Sequence, residues 1–554
     1  MTSASIASAG PVEYRIVRFD VEFSTKDSEP TTQPDERIPD PVLGLGIRDR
    51  YASAAFGLNE DGVVVGMANV DLPGGIPPFD VVSRPFVWQP EPIHGAFGVD
   101  TMHPLEWWAT VDCEAAIGDC EPFAHGAAFD VNADGDVVGV GMRCHDGSPT
   151  PYRAFVWSPD TGLGHCASTM NQLDPFLPTD GNSSAGAASI SDRTNGIGGP
   201  VTATAVGWQL DAATALEAPY AFDARSLTQT PLPVIGPSGP DFYEKGRASG
   251  IRPDPAAAAW IAGALTENSV RGTFCAEEAD LLPIRWDGTV LEQLPFTNPS
   301  SPPTTINGVA RDVNDAGFVV GYVGDQDTTS CIQRAAYWPT PAQLELFAPN
   351  PADASDSTVA IATNASGATV GMNLDAQTAI RWAIPSQYVD LNDVTDCVNC
   401  DLLALESAHD INDDGWIVGV ARAPDHDAVT QVGVLLVPLG PCPADVDRDG
   451  DVDATDLALV QTATGACPPR TICWRDVNGD CHVDAADVQI VLQYLKTQAC
   501  ATNETLAAPL AAIWMASGGE QFLESDPDAA AVVESAYDPE SQVTTFVNLL
   551  EVIE

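Results

Sequence analysis

Two segments near the C-terminus carry carboxylates at a spacing that can hold a hard metal ion. The first reads DVDRDGDVDATD from Asp445 to Asp456, and the second DVNGDCHVDAAD from Asp476 to Asp487. Ca²⁺ takes six to eight oxygen ligands, and a twelve-residue loop supplies them from positions 1, 3, 5, 7, 9 and 12. In the first segment these are Asp445, Asp447, Asp449, the main-chain carbonyl of Asp451, Asp453 and Asp456. In the second they are Asp476, Asn478, Asp480, the carbonyl of His482, Asp484 and Asp487. The spacing predicts two Ca²⁺ sites. Gly450 fills position 6 of the first, where the chain turns sharply, but Cys481 stands there in the second. A Cβ in the left-handed conformation costs roughly 1 kcal/mol or more, so the second site is expected to be the weaker.

The elements around the loops repeat with them. The two segments are offset by 31 residues, and Cys442 and Cys473, three residues before each, keep the same offset. Val452 and Val483 fall at position 8, where a short β contact between paired loops is expected. A helix is expected after each loop. In the second, Val488, Val491, Leu492 and Leu495 fall on one apolar face. The first (Leu457, Leu459, Val460) is shorter and ends at Gly465.

Residues 441–500 thereby resemble a type I dockerin, which carries two such loop–helix units and closes its loops with Asp, as Asp456 and Asp487 do here. The resemblance implies a calcium-dependent partner, a cohesin-like protein module. It also implies a role in tethering secreted proteins, often around polysaccharide-degrading systems. In that family positions 10 and 11 help choose the partner; here they are Ala454–Thr455 and Ala485–Ala486. The Lys-Arg pair common after the first loop in the family is Gln461–Thr462 in this chain.

Upstream of this segment the chain repeats itself. The clearest copies are AFGLNEDGVVVG (55–66), AFDVNADGDVVG (128–139), ARDVNDAGFVVG (310–321), AIATNASGATVG (360–371) and AHDINDDGWIVG (408–419). Two looser copies begin at Ala188 and Ala248 and end at Gly207 and Gly263, which makes seven. One copy reads as a hairpin: a short strand, an N-x-x-G turn whose Asn and Gly tolerate left-handed conformations, and a second strand. A third strand ends in Trp88, Trp157, Trp286, Trp338 or Trp382, and a fourth is suggested by Leu344–Phe347 and Tyr388–Leu391. Four strands repeated radially are the pattern of a β-propeller.

The expected fold is therefore mostly β. Residues 13–440 are expected to form a seven-bladed propeller, followed by a small α-helical calcium-binding dockerin-like domain over 441–500. The last repeat lacks a fourth strand, and Glu13–Phe23 offers a stray one that would complete it and close the ring. The repeats resemble the HAF family of extracellular repeats, whose A-x-x-I-N-x-x-G-x-x-V-G core and V-D-L-N-D segment (Val389–Asp393) are present. That resemblance bears on fold and not on activity. Final glycines lie further apart than the ~40–45 residues of a compact blade, and the excess is assigned to loops. Loops on a rigid scaffold are where recognition would live.

Composition sets the boundaries. The chain has 24 basic and 78 acidic residues, a net charge of −54. Such a field repels nucleic acid and anionic membranes. No apolar run reaches membrane-spanning length. Thirteen cysteines without iron–sulfur or zinc-finger spacing read as disulfides in an oxidising compartment. Residues 1–12 include ASIASAG, which looks like the end of a secretion signal. Together these place the protein outside the cell or at its surface. The acidic tail, 501–554, offers two candidate helices.

Catalytic motifs are not apparent. There is no G-x-S-x-G, no H-E-x-x-H and no P-loop. The repeat aspartates Asp130, Asp312 and Asp410 read as turn and hairpin residues. Cys397 and Cys400 read as a loop disulfide, or as a redox pair. Cys144, His145, His165 and Cys166 read as one disulfide beside two solvated histidines, or as a metal site. Trp107 and Trp108 are candidates for stacking on a sugar. The leading reading is a secreted, non-catalytic binding and assembly protein, with polysaccharide or a cell-surface glycan as a further candidate partner. The alternative is a carbohydrate-active enzyme, a glycoside hydrolase or polysaccharide lyase, with its site on the propeller.

Overall fold

The computed structural model describes residues 14–19, 53–71, 81–90, 102–105, 126–145, 148–158, 171–172, 184–192, 203–211, 216–224, 229–233, 245–252, 260–266, 281–286, 290–296, 305–327, 330–395, 402–424, 429–439, 442, 444–447, 452–463, 465–466, 472–478 and 482–497. Residues 1–12, the tail 501–554, Trp107, Trp108, His165, Cys166, Cys397 and Cys400 lie outside the described residues. So do Asp449, Gly450, Asp451, Asp480 and Cys481.

The chain divides into two units, one formed mainly by residues 1–439 and one mainly by residues after 440. The first contains seven four-stranded antiparallel sheets and is a seven-bladed β-propeller. Blades one to six span 53–104, 126–172, 184–231, 245–293, 305–346 and 358–390. Blade six shows the plan: Thr358–Thr363, Thr369–Asn373, Thr378–Trp382 and Tyr388–Asp390, paired in that order.

The repeat motif explains the plan residue by residue. In the five clear copies the turn closes from Asn to Gly, as in Gly317 N donating to Asn314 O at 2.8 Å and Gly367 N to Asn364 O at 3.0 Å. The turn glycines take φ between 73° and 82°, a region costly for any residue with a Cβ. The last glycine of each copy meets a different constraint. A Cβ on Gly371 would lie 1.9 Å from Val359 O, so only glycine lets the second strand approach the first.

The third-strand tryptophans lie between blades. Trp338 is fully buried among Ala262, Leu294, Ala310 and Val313, and Trp382 among Val320, Phe347 and Ala360. In these two the indole N–H finds a carbonyl, Trp338 Nε1 donating to Pro295 O at 2.7 Å and Trp382 Nε1 to Ala348 O at 3.0 Å. Burial and hydrogen bonding together let tryptophan serve at these two positions.

The third copy is displaced by one residue from its sequence reading. Ala187, not Ala188, pairs with Gly207.

Blade seven takes three strands, Ala404–Ile411, Ile417–Pro424 and Val429–Pro438, from the end of the repeats. Its fourth is Tyr14–Phe19, antiparallel to Val429–Pro438 with Tyr14 opposite Pro438. The flanking blades hold this strand too. Phe19 packs against Phe86 and Trp88 of blade one, with ring centroids 5.7 and 5.4 Å apart. Arg381 of blade six donates to the Tyr14 hydroxyl at 2.7 Å.

The second unit holds helices α1 (Ala454–Gln461) and α2 (Ala485–Thr497), which pack together. Each buries an aspartate and a valine four residues on: Asp456 with Val460, and Asp487 with Val491. Leu492, expected on the apolar face, is 39% exposed. The buried stripe is thus narrower than the sequence suggests. Val483 lies in a two-residue strand paired with Gly465–Ala466, directly after α1, rather than with Val452. Among the described residues no helix is long and apolar enough to cross a membrane.

Candidate functional site

The innermost strand of each blade breaks register one residue after the repeat alanine. The breaks fall between Ala55 and Gly57, Ala128 and Asp130, Ala187 and Ser189, Ala248 and Gly250, Ala310 and Asp312, Ala360 and Ala362, and Ala408 and Asp410. A bulge re-aims side chains locally. Residues at the bulge and just after it, from all seven blades, line one cavity on the propeller axis.

The three repeat aspartates stand in this wall. They lie in the repeat hairpins, as the sequence suggests, but in the strands and not the turns, and their side chains tie blades together. Asp130 accepts from Ser189 Oγ at 2.6 Å and Ile190 N at 2.8 Å, both in blade three. Asp312 accepts from Thr363 N of blade six at 3.0 Å, and Asp410 from Leu58 N of blade one at 2.9 Å. Each faces a neighbour that carries no carboxylate there: Ser189, Ala362 and Gly57.

The asparagines are turn residues with a second task. The Asn59 side chain accepts from Val63 N at 2.9 Å within its own turn, and its amide donates to Asn132 O of the next blade at 2.9 Å. Asn132 donates to Ser191 O, Asn314 to Asn364 O, and Asn364 to Asn412 O, each at 3.0 Å. Asn412 closes the series on Asn59 O at 3.2 Å.

Burial shapes the electrostatics of the wall. It pushes the Asp130 and Asp312 carboxyls above their ordinary range, against the pull of the Arg252 guanidinium. Asp410 is pushed up to about 8 by burial and by Asp130, with Arg252 opposing. Arg252 lines both this cavity and a second one that the asparagine turns line. Burial works against its charge, but Asp312, Asp130 and Asp410 outweigh that and hold its pKa above the usual value.

The acidic loops share one hydrogen-bond frame. In the first, Asp456 Oδ1 accepts from Val446 N at 2.6 Å and Asp447 N at 3.2 Å, and its Oδ2 accepts from Asp453 N at 2.7 Å. In the second, Asp487 Oδ1 accepts from Val477 N at 2.7 Å and Asn478 N at 3.1 Å, and its Oδ2 from Asp484 N at 2.8 Å. Both carboxylates are fully buried.

The position-9 residues are exposed and turn toward the helix starts. Asp453 accepts from Thr455 N at 2.5 Å, and Asp484 from Ala486 N at 2.6 Å. The Thr455 N–H holds the Asp453 carboxyl below its ordinary range.

The loop brings three predicted ligands together. Asp445, Asp447 and Asp456 each offer a carboxylate oxygen, and all three oxygens lie within 4.8 Å of one another. Two ligands on opposite sides of a Ca²⁺ ion, each at about 2.4 Å, are about 4.8 Å apart, so the set fits that ion. In the second loop Asp476 is buried, Asn478 half-buried and His482 exposed.

No family model matches the chain. No curated protein matches it either. Among solved structures it is similar to the β-propeller domain of the trilobed protease from Pyrococcus furiosus, at 8% identity and TM-score 0.36 over 70% of this chain and 96% of that one. It is also similar to the Dos1 propeller, at 9% identity and TM-score 0.35 over 71% of this chain and 93% of that one. A third likeness is to virginiamycin B lyase from Staphylococcus aureus, at 11% identity and TM-score 0.29 over 70% of this chain and 96% of that one. Likeness at these levels says nothing of activity.

Sequence reasoning missed Arg252. The signal was there: five copies carry Asn at this position, and the fourth carries Arg.

Proposed function

We propose that this chain is a secreted, non-catalytic binding and assembly protein. Its propeller displays recognition loops, and its C-terminal unit, loaded with Ca²⁺, attaches it to a cohesin-like protein module. Polysaccharide or a cell-surface glycan is the ligand class proposed for the propeller.

One observation carries the attachment reading. Two loops 31 residues apart close with the same hydrogen bonds on the same buried carboxylate, Asp456 or Asp487. Acidic surface turns have no reason to bury a carboxylate twice in one frame. The gathered oxygens of Asp445, Asp447 and Asp456 suit a hard cation, which would neutralise their mutual repulsion. The partner-choosing positions, Ala454–Thr455 and Ala485–Ala486, are exposed. Cys442 and Cys473 are each disulfide-bonded, which suits an oxidising compartment.

The test is capture of the full chain on an immobilised type I cohesin, with calcium and with chelator. Calcium-dependent capture is expected. Absence of capture under both conditions from a cohesin panel would remove the partner.

A second reading has one observation in its favour. Asp130, Asp312 and Asp410 lie on the axis with raised pKa values, as a general acid of a carbohydrate-active enzyme would require. Their hydrogen bonds to neighbouring blades give them a structural task already. Release of reducing sugar from a polysaccharide panel, lost on Asp410→Asn, would favour this enzyme over the binding protein.

A further inference from the structure

Arg252 breaks a rule that five of the other six blades obey, blade three carrying Ser191 there. At its position Asn59, Asn132, Asn314, Asn364 and Asn412 each spend their amide on a carbonyl of the next blade. The Arg252 guanidinium makes no hydrogen bond or ion pair to the described residues, although Asp130, Asp312 and Asp410 act on it through space. A side chain that leaves the inter-blade ring and stands on the axis with its donor fork unspent is not there for the repeat.

The surroundings define what it would bind. All seven blades contribute to the cavity, so a ligand seated in it would touch several blades at once. The cavity wall mixes apolar and polar groups. Phe56 and Phe129 meet edge to face with centroids 5.7 Å apart, while Ser189 and Ser249 contribute hydroxyls. A carboxylate has about four lone-pair sites. Asp410 uses two of these on Leu58 N and Ile411 N.

A free anion would meet Asp130, Asp312 and Asp410 around the arginine. A cation would meet Arg252 itself, with Arg311 in the same wall. Hydroxyl groups, which both donate and accept, satisfy the guanidinium and the carboxylates without adding charge. The C–H face of a pyranose suits the phenylalanines.

We propose that the axial cavity around Arg252 binds an uncharged polyhydroxylated ligand, a monosaccharide or the end residue of a glycan. This deepens the glycan part of the reading above and is independent of the calcium part.

Saturation-transfer NMR on the full chain tests it, with D-glucose, D-galactose, D-mannose, D-xylose and N-acetylglucosamine as probes. Measurements in chelator keep the outcome separate from the acidic loops. At least one sugar is expected to give a saturable signal.

Arg252→Asn installs the residue that five of the other six blades carry, so folding is expected to survive, with a melting temperature within about 4 °C of the parent. Sugar affinity is expected to fall at least about tenfold, the loss typical of a hydrogen bond to a charged group. Arg252→Gln serves the same purpose should the first variant not fold. No signal from any sugar with the parent protein would overturn the proposal, as would unchanged affinity in a folded variant. Tighter binding of glutamate or spermidine than of any sugar would overturn it as well.

Discussion

Asn412 in the last blade donates its side-chain amide to the carbonyl of Asn59 in the first, 353 residues earlier, at 3.2 Å. The same side chain accepts from Trp416 N at 2.9 Å. One residue thus shapes its own turn and closes the ring. Around it Asp410 accepts from Leu58 N, and Glu60 accepts from Asp413 N at 2.9 Å. Asn412→Ala leaves the half-buried Trp416 N without its acceptor and Asn59 O with Gly62 N alone, at about 1–3 kcal/mol for an unsatisfied group. Equilibrium denaturation is expected to show a lower midpoint with an unchanged slope. A midpoint equal to the parent's would mean that the amide is dispensable.

The strand Tyr14–Phe19 makes the second closure. It supplies the outer edge of blade seven and inserts Phe19, fully buried, beside Phe86 and Trp88. Removal of residues 1–24 exposes the edge of Val429–Pro438 and empties that contact. The melting temperature is expected to drop sharply, and Phe19→Ala alone is expected to cost about 3–5 kcal/mol. An unchanged melting curve for the truncated chain would show that three strands suffice in blade seven.

The channel carboxylates give the propeller a pH dependence of definite sign. Asp130, Asp312 and Asp410 all have raised pKa values in the folded state, so that state binds protons more tightly than the unfolded chain does. Stability is then greatest below the ordinary carboxyl range and falls as pH rises toward about 8, the value for Asp410. Other charges in the same wall are Arg252, Arg311 and His409, with Asp315 nearby. Thermal melts across this range are expected to decline with pH. Asp410→Asn, which keeps an acceptor oxygen and cannot ionise, is expected to flatten the decline. A parent profile that rises with pH would contradict the assignment.

Much of the propeller is written in short-range signals. N-x-x-G sets a turn, V-G sets the close strand approach, and tryptophan marks the third strand. Each acts within a dozen residues, so each survives in a linear reading. The departures have physical reasons. The register break beside Ala187 hides the start of the third copy by one residue. The aspartates look like plain turn and hairpin residues in sequence because a linear pattern cannot show that a bulge turns them to the axis. Periodicity puts Leu492 on the apolar face, but α2 buries Asp487 and Val491, because the loop closes on a carboxylate rather than on an apolar side chain. The ligand spacing of the first loop was legible because its three gathered aspartates all come from one short stretch.

Calcium titration of the full chain by calorimetry tests the central claim most directly. The account predicts two ions bound, the second more weakly, with one lost on Asp445→Ala and the other on Asp476→Ala. The double variant should keep only the diffuse association expected of so acidic a chain, and chelation should lower the melting temperature of the C-terminal unit. Identical heats for the parent and the double variant would contradict it.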